Sequence, residues 1–383
     1  MARNDRKWLQ SVHQVVLDGL ARFDEQPLQA PQPRPTWRRL RAAGSRLWLA
    51  AGGMDEAAAL WDPAFEALTV TPGLPADEVR RGAYDAFLRD AAPRLRAAGT
   101  GEDLAGELAF LVTAVHALRL ARRFGAPVAV ELSPGPPDDA ASLVARARRL
   151  AALGAERLIV TVPLSAVGLI ACGRLAAAGS APALGPCHSP RQAAAAALVG
   201  RASYVEVPLA PLRRVAVDNG LGDGRGVDRK ALAAIRDALR ALRDQDATAT
   251  LEAAVLAAET DGDGDETAEP RWTRPDDPDV YGLDTLWTLP PALLDAARRL
   301  AEQDIRHLTP RLLRESLPDL LPAWNGDDRA RARANGPIPV LSAWRYRLAA
   351  RRIGLDALMT FSALTTARKQ REDLDQSIRQ RLH

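Results

Sequence analysis

The sequence predicts an α/β fold built on a parallel sheet. From about residue 36, short apolar runs alternate with Ala- and Arg-rich helical stretches, and this alternation is typical of a parallel sheet with crossover helices. Residues 158–160 are apolar throughout, as expected for a strand that is covered on both faces. A chain of 383 residues that is 47% hydrophobic can also bury a large core.

Six strands can be placed on the apolar runs, with helices between most of them. The predicted strands are residues 47–50, 67–71, 127–132, 157–163, 181–187 and 204–209. Helices are predicted over residues 138–153 and 190–198. This pattern leaves two arrangements open, a closed eight-stranded barrel and an open, doubly wound sheet.

Both ends of the chain carry further helical segments. Apolar residues at three- and four-residue spacings predict an amphipathic helix over 6–23, and a proline-rich linker ends it. We expect this arm, residues 1–35, to dock onto a domain or a second subunit. Residues 36–300 form the predicted central domain, in which 228–258 look helical. Residues 301–383 form a helical extension that is expected to pack on the central domain or to carry a dimer contact.

Charge and composition argue against several classes of protein. The formal net charge is only +3, so no field of a single sign favours nucleic acid. No run approaches the roughly 18 consecutive apolar residues that a membrane-spanning helix requires. Cys172 and Cys187 are the only cysteines, too few for a disulfide framework. We expect a cytoplasmic protein that binds neither nucleic acid nor membranes.

Four short stretches, in the correct order, resemble the strands of the transaldolase family. They are LRAAGSRLWLAA at 40–51, LTVTPG at 68–73, VAVELSP at 128–134 and LIVTVPLSAVGL at 158–169. Two weaker matches follow at 179–189 and 282–293. The resemblance implies a (β/α)8 TIM barrel of transaldolase type, with its site at the carboxyl ends of the strands and a role in carbohydrate metabolism. It therefore favours the closed barrel over the open sheet.

The resemblance also shows that the family's Schiff-base lysine is missing. Its position falls on Thr161, and a hydroxyl cannot condense with a ketose to form an iminium. The only lysines are Lys7, Lys230 and Lys369, and none is predicted at the carboxyl end of a strand. Schiff-base transaldolase activity is therefore not expected.

Other polar positions of the family have changed as well. The resemblance places the proton-relaying acid of the first strand on Ala50 and the substrate-orienting asparagine of the second on Thr71. The asparagine and the water-holding threonine of the fifth strand fall on Ala183 and Gly185. Only the carboxylate of the third strand is clearly kept, as Glu131. These changes predict a divergent active site.

Three residues are candidates for catalysis at the predicted barrel mouth. Burial would raise the pKa of Glu131 into the range of general acid/base catalysis, unless an arginine pairs with it in a structural salt bridge. Thr161 lies on the neighbouring strand. Cys187 has the parity of an inward-facing side chain and could be reactive with another partner, or it could simply fill space as a buried thiol. Ser165, His188 and Asp218 are predicted near the same mouth.

Binding roles are predicted for a second group of residues. Thr71, Ser165, Arg213 and Arg274 are the candidates for contact with a substrate, and the two arginines would hold a phosphate. Asp276, Asp277 and Asp279 lie on a loop toward the last strand, where clustered carboxylates could bind Mg²⁺. A solvated, proline-punctuated loop is the alternative reading. No cofactor is required by these assignments.

Three functional hypotheses follow. The first is a divergent transaldolase-like enzyme with lysine-independent lyase, isomerase or transferase chemistry on a small metabolite that could be phosphorylated, with Glu131 as the acid/base group. The second is a pseudoenzyme, a non-catalytic barrel that binds a protein partner or a second copy through the N-terminal helix and the C-terminal tail. The third is a true transaldolase of sugar-phosphate metabolism.

Overall fold

The computed structural model describes most of the first 242 residues and three later segments. The described residues are 3–23, 25–29, 32, 46–50, 53–70, 73–99, 103–132, 139–154, 157–222, 227–242, 250–254, 285–289, 338–350 and 353–382. They form an α/β fold in which a curled parallel sheet alternates with helices. The predicted fold class is confirmed to this extent.

The strands pair in sequence order, each parallel to the next. They are β1 (Arg46–Ala50), β2 (Ala67–Val70), β3 (Val128–Glu131), β4 (Leu158–Pro163), β5 (Ala183–Gly185), β6 (Tyr204–Pro208), β7 (Thr250–Ala254) and β8 (Thr285–Leu289). β8 also pairs with β1, where Arg46 is the Cα partner of Leu286. The first six strands agree with the sequence prediction to within a few residues at each end.

Helices separate the strands and extend the chain at both ends. The N-terminal helix is α1 (Arg3–Ala21). The next are α2 (Met54–Leu60), α3 (Gly73–Arg80), α4 (Asp85–Ala97), α5 (Leu104–Phe124), α6 (Ala140–Gly154), α7 (Ala166–Ala177), α8 (Pro190–Leu198), α9 (Leu209–Asp218) and α10 (Val227–Ala241). Near the C-terminus, a 3-10 turn at Leu341–Trp344 leads into α11 (Arg345–Ala349) and α12 (Leu355–Arg381).

One part of the sequence prediction is wrong. Residues 228–258 were expected to be helical throughout, but α10 ends at Ala241 and β7 begins at Thr250. The β7 sequence, TLEAA, is rich in residues that favour helices, and pairing with β6 and β8 overrides that preference. Local propensity was therefore a misleading guide at this strand.

The two faces of the sheet contact different surroundings. Alternate residues such as Val128 and Val130 are buried in a large apolar cluster with the helices. Residues of the opposite parity form a separate inner cluster, in which Ile159 and Tyr204 pack against buried Trp48, Ala67 and Ala129. The rings of Trp48 and Tyr204 lie 5.2 Å apart although β1 and β6 are not neighbours. This contact across the inside of the sheet shows how strongly the sheet is curled.

The N-terminal helix docks onto its own chain. Its apolar stripe is buried against α4 and α5, and the stripe consists of Val12, Val15, Val16 and Leu20. Beyond the helix, Glu25 accepts a hydrogen bond from Arg119 Nε at 2.6 Å, and Arg119 in turn donates to the buried Tyr84 hydroxyl at 3.0 Å. The apolar face of α1 is thus used within the molecule.

Helix α5 is long and apolar enough, by length and composition, to cross a membrane. In the structure 83% of its most apolar window is buried inside the protein. It contacts α1, α4, α6 and the strands, and so serves as a central helix of the core.

The last helix spans the side of the sheet on which the strands end. Near its start, Asp356 accepts a hydrogen bond from Ser189 Oγ at 2.6 Å, just after β5. Further along, Arg371 donates to the Gly106 carbonyl at the beginning of α5, and the helix packs against α3, which follows β2. A helix of 27 residues is about 40 Å long. It therefore runs from the end of β5 to the helices that flank β2 and β3.

Thr360 anchors this helix, and its loss should be measurable. Its hydroxyl lies 3.0 Å from His188 Nδ1 and accepts a hydrogen bond from Gln192 Nε2 at 3.0 Å, and all three side chains are buried. We expect Thr360→Val to lower the free energy of unfolding by about 1–3 kcal/mol in urea denaturation, because two buried polar groups lose a partner. Thr365→Val, which removes only a bond to the Phe361 carbonyl within α12, is the matched control. Equal effects of the two substitutions would contradict the anchoring role.

Candidate functional site

Two carboxylates lie on the inner face of the sheet. Glu131 ends β3 and has the same parity as the inner-cluster residue Ala129, while Glu206 on β6 has the parity of Tyr204. A side chain added at Gly185 on the intervening strand β5 would place its Cβ 2.6 Å from Glu206 Cβ. The Glu206 side chain thus packs against the backbone of β5 and occupies the inside of the sheet.

The two carboxyl groups interact and are shielded from solvent. Burial, followed by the charge of Glu206, raises the pKa of Glu131 to about 8. Burial also raises the pKa of Glu206 to about 7. Each of the two side chains is half-buried, and the same cause, desolvation, raises both pKa values. A pair of this kind holds a proton near neutral pH and can exchange it with a ligand.

Hydroxyl groups lie beside the pair. Thr161 is the Cα partner of Glu131 in the β3–β4 pairing, is only 6% exposed and shares the inward parity of Ile159. Within the described part of the chain its hydroxyl has no recorded hydrogen bond. Thr69 on β2 also faces inward, and its buried Oγ1 has no partner there either. These hydroxyls are available to a ligand inside the sheet.

The arginine pairing considered for Glu131 is not found among the described residues. No ion pair to Glu131 is present there, and no basic group contributes to its shifted pKa. Arg146 and Arg371 do line a cavity of about 20 Å³ together with Glu131, but the outward-facing Val130 and Leu132 line it too. This cavity, about the size of one water, therefore lies on the helix side of β3.

Two predicted residues have local structural roles. Ser165 is the N-cap of α7, where its Oγ accepts a hydrogen bond from the Gly168 amide at 2.9 Å. Cys187 is fully buried within the apolar cluster of sheet and helices. Burial raises the pKa of its thiol well above the usual value, and the charge of Glu206 adds to the shift. A thiol without access to its thiolate form fits the space-filling reading.

Other predicted mouth residues are also distributed differently. His188 is held at the end of β5 by Thr360, and burial lowers its pKa to about 3, which keeps it neutral. Asp218 is the last residue of α9, where it pairs with Arg214 at 3.1 Å. Arg213, on the same helix, has a buried Nη1 without a hydrogen-bond partner in the described chain. This Nη1 could donate to an anion, and the buried Nε2 of His188 also has no partner among the described residues.

Five predicted residues lie outside the described residues. They are Thr71 and Arg274, predicted to bind substrate, and Asp276, Asp277 and Asp279, predicted to bind Mg²⁺. Among the residues that are described, no group of three or more His, Cys, Asp or Glu side chains is arranged to hold a metal ion. The Mg²⁺ site stays a prediction.

Sequence reasoning missed Glu206, although a signal was present. The strand reads Tyr-Val-Glu-Val-Pro, with valines at the two positions that pack against helices. That alternation assigns Tyr204 and Glu206 to the inner face once β6 is placed in a curled sheet. Glu206 does not correspond to any position of the transaldolase pattern, so the resemblance could not indicate it.

No protein-family model matches the chain, and no curated protein matches it either. The site must therefore be interpreted from its own chemistry.

The raised pKa of Glu131 predicts a specific pH dependence of stability. Because the folded state holds the proton more tightly than the unfolded chain, stability should fall as the pH rises from about 4.5 to about 8. Glu131→Gln removes this titration. Its free energy of unfolding, relative to that of the wild type, should therefore increase as the pH rises from about 4.5 to about 8. Urea denaturation at pH 5, 7 and 9 measures the difference, and Glu56→Gln on the exposed face of α2 controls for loss of one surface charge. A difference that does not change with pH would argue against a buried, protonated Glu131.

Proposed function

We propose that the chain is a divergent transaldolase-like (β/α)8 TIM barrel that carries out lysine-independent acid/base chemistry on a small metabolite. The observation that carries the proposal is the pair of inner-face carboxylates, Glu131 and Glu206, whose pKa values are raised to about 8 and about 7. Groups that titrate near neutral pH can both take and return a proton during a reaction cycle. The reaction would be of the lyase, isomerase or transferase type.

The frame of the sheet supports the transaldolase-like part of the proposal. The strands follow one another in parallel order, and β8 pairs with β1. Gly168, one of the residues that carry the resemblance, lies where an added Cβ would be 1.9 Å from the Pro163 carbonyl oxygen. Only glycine fits this approach of α7 to the end of β4. Position 168 is thus constrained by the turn itself and not by any particular chemistry.

The positions of the lysines support chemistry without a Schiff base. Thr161 stands at the matching position inside the sheet, and Lys230 and Lys369 are exposed on α10 and α12. Lys7 belongs to the docked N-terminal helix. None of the three lies on a strand, so no amine stands at the strand position that the covalent route of the family uses.

Each residue of the site has a proposed role. Glu206, the carboxyl with the lower pKa of the two, takes a proton from a C–H or O–H group of the substrate, and Glu131, which holds its proton near neutral pH, delivers one to the group that leaves or rearranges. The Thr161 hydroxyl orients the substrate by a hydrogen bond. Arg213 would hold a phosphate or carboxylate if the metabolite carries one, a role that its buried, unpartnered Nη1 favours over Arg214. No cofactor is needed for these steps, and the setting we propose is the cytoplasm.

The proposal is tested by product formation from small-molecule metabolite extracts in D₂O. We expect the wild type to change specific compounds and to introduce deuterium into them, because proton transfer exchanges with solvent. Glu131→Gln and Glu206→Gln should each lower this turnover about 10²-fold or more, whereas Glu56→Gln should not. Borohydride trapping with a ketose phosphate should leave no adduct on the chain.

Other outcomes would separate the alternatives. Turnover that survives both glutamine substitutions would contradict acid/base catalysis by this pair. Compounds that bind without being changed would favour the non-catalytic binding protein, acting alone, as a homo-oligomer or with a partner. A reduced ketose adduct would restore a Schiff-base mechanism and the true transaldolase.

A further inference from the structure

The described inward-facing residues at the site are acidic or uncharged. Glu131 and Glu206 face inward, and none of the inward-facing residues whose side chains are described is basic. On β7, Glu252 is the Cα partner of Glu206 in the pairing of these two strands. Arg46 lies at the first position of β1, at the opposite end of the strands from Glu131. A ligand at the carboxyl ends therefore meets carboxylates first.

Hydroxyl groups face the inside of the sheet beside these carboxylates. Thr161 is 6% exposed and is directly next to Glu131 in the register, and its side chain makes no hydrogen bond within the described chain. On β2, the buried Thr69 Oγ1 has no partner among the described residues, and leaving a buried hydroxyl unpaired costs about 1–3 kcal/mol. This geometry indicates a ligand that completes the hydrogen bonding.

We infer that the inside of the sheet binds a ligand that carries a protonated amine, with the ammonium group between Glu131 and Glu206 and an adjacent hydroxyl of the ligand on Thr161. The inference rests on the proposed function, because it uses the same carboxylate pair. An ammonium group supplies three hydrogen-bond donors and a positive charge, whereas two facing carboxylates supply only acceptors and negative charge. A neutral polyol would leave the repulsion between the carboxylates in place, and a phosphate would add to it.

The surroundings of the pair fix the expected pH dependence. Among the described side chains, the titratable group beside the carboxylates is the Cys187 thiol, which burial keeps protonated. On β7, Glu252 is the Cα partner of Glu206. His188 at the end of β5 is kept neutral by burial. Arg371, on the helix side of β3, is bonded to Asp375 and to the Gly106 carbonyl. Because the empty pair holds a proton near neutral pH, binding of an alkylammonium should release about one proton and should strengthen from pH 6 to pH 8.

Calorimetric titration of the full chain tests this inference with three matched probes. They are 1-amino-1-deoxysorbitol, sorbitol and sorbitol 6-phosphate. We expect the amine to bind at least about tenfold more tightly than sorbitol at pH 8 and more tightly than the phosphate, with proton release seen across buffers of different ionisation enthalpy. Glu206→Gln should remove the preference for the amine, whereas Glu56→Gln should keep it. Should Glu206→Gln not fold, Glu131→Gln serves in its place.

Three results would overturn the inference. The first is binding of sorbitol or its phosphate that is as tight as binding of the amine, or tighter. The second is that none of the probes binds at millimolar concentration. The third is tight binding of Mg²⁺ alone, dependent on both carboxylates, while the amine does not bind. A ¹³C NMR titration of the glutamate carboxyl groups distinguishes this failure from failure of the proposed function. Carboxyls that titrate near neutral pH without a preference for the amine would leave acid/base catalysis standing. Carboxyls that titrate near 4.5 would remove the basis of the proposed function itself.

Discussion

The contact between Trp48 and Tyr204 is the constraint on which the site depends. The two rings come from strands that are not neighbours and meet 5.2 Å apart, so they fill the inside of the sheet from opposite sides. With Ala67 and Ala129 they form an apolar floor, from which water is excluded. Glu131 and Glu206 are each two residues further along strands that contribute to this floor. Their carboxyl groups are therefore desolvated from below, which is the leading cause of both raised pKa values.

Helix α12 acts on the site from the other side. It is held at the end of β5 by the buried contacts of Asp356 and Thr360, and at the start of α5 by Arg371. A helix fixed at both ends excludes water from the buried polar groups that it contacts, among them His188 and Gln192. Limited access strengthens electrostatic interactions inside the sheet, since the local dielectric is lowered. The polar contacts of α12 and the shifted carboxylates are thus parts of one arrangement.

Much of the fold could be predicted from the sequence because strands β1 to β6 are marked by apolar runs with clear ends. β7 could not be recognised in this way, because Thr250–Ala254 consists of residues that favour a helix in isolation and becomes a strand only through its neighbours. Glu131 could be predicted because a resemblance marks its position. Glu206 could be predicted only if the inward face of β6 was known. The use of Ser165 as a helix cap and of Cys187 as a packed thiol depends on tertiary contacts that no local pattern reveals.

Two of the departures from the transaldolase pattern are physically linked. The resemblance places a water-holding threonine at Gly185, and the structure brings Glu206 against this position on the neighbouring strand. A Cβ at position 185 would lie 2.6 Å from Glu206 Cβ and 2.9 Å from Glu206 Oε2, closer than real side chains approach. A threonine there would force the glutamate to move, so the two residues cannot both occupy this space. Glycine at position 185 therefore leaves the room that the Glu206 side chain occupies inside the sheet.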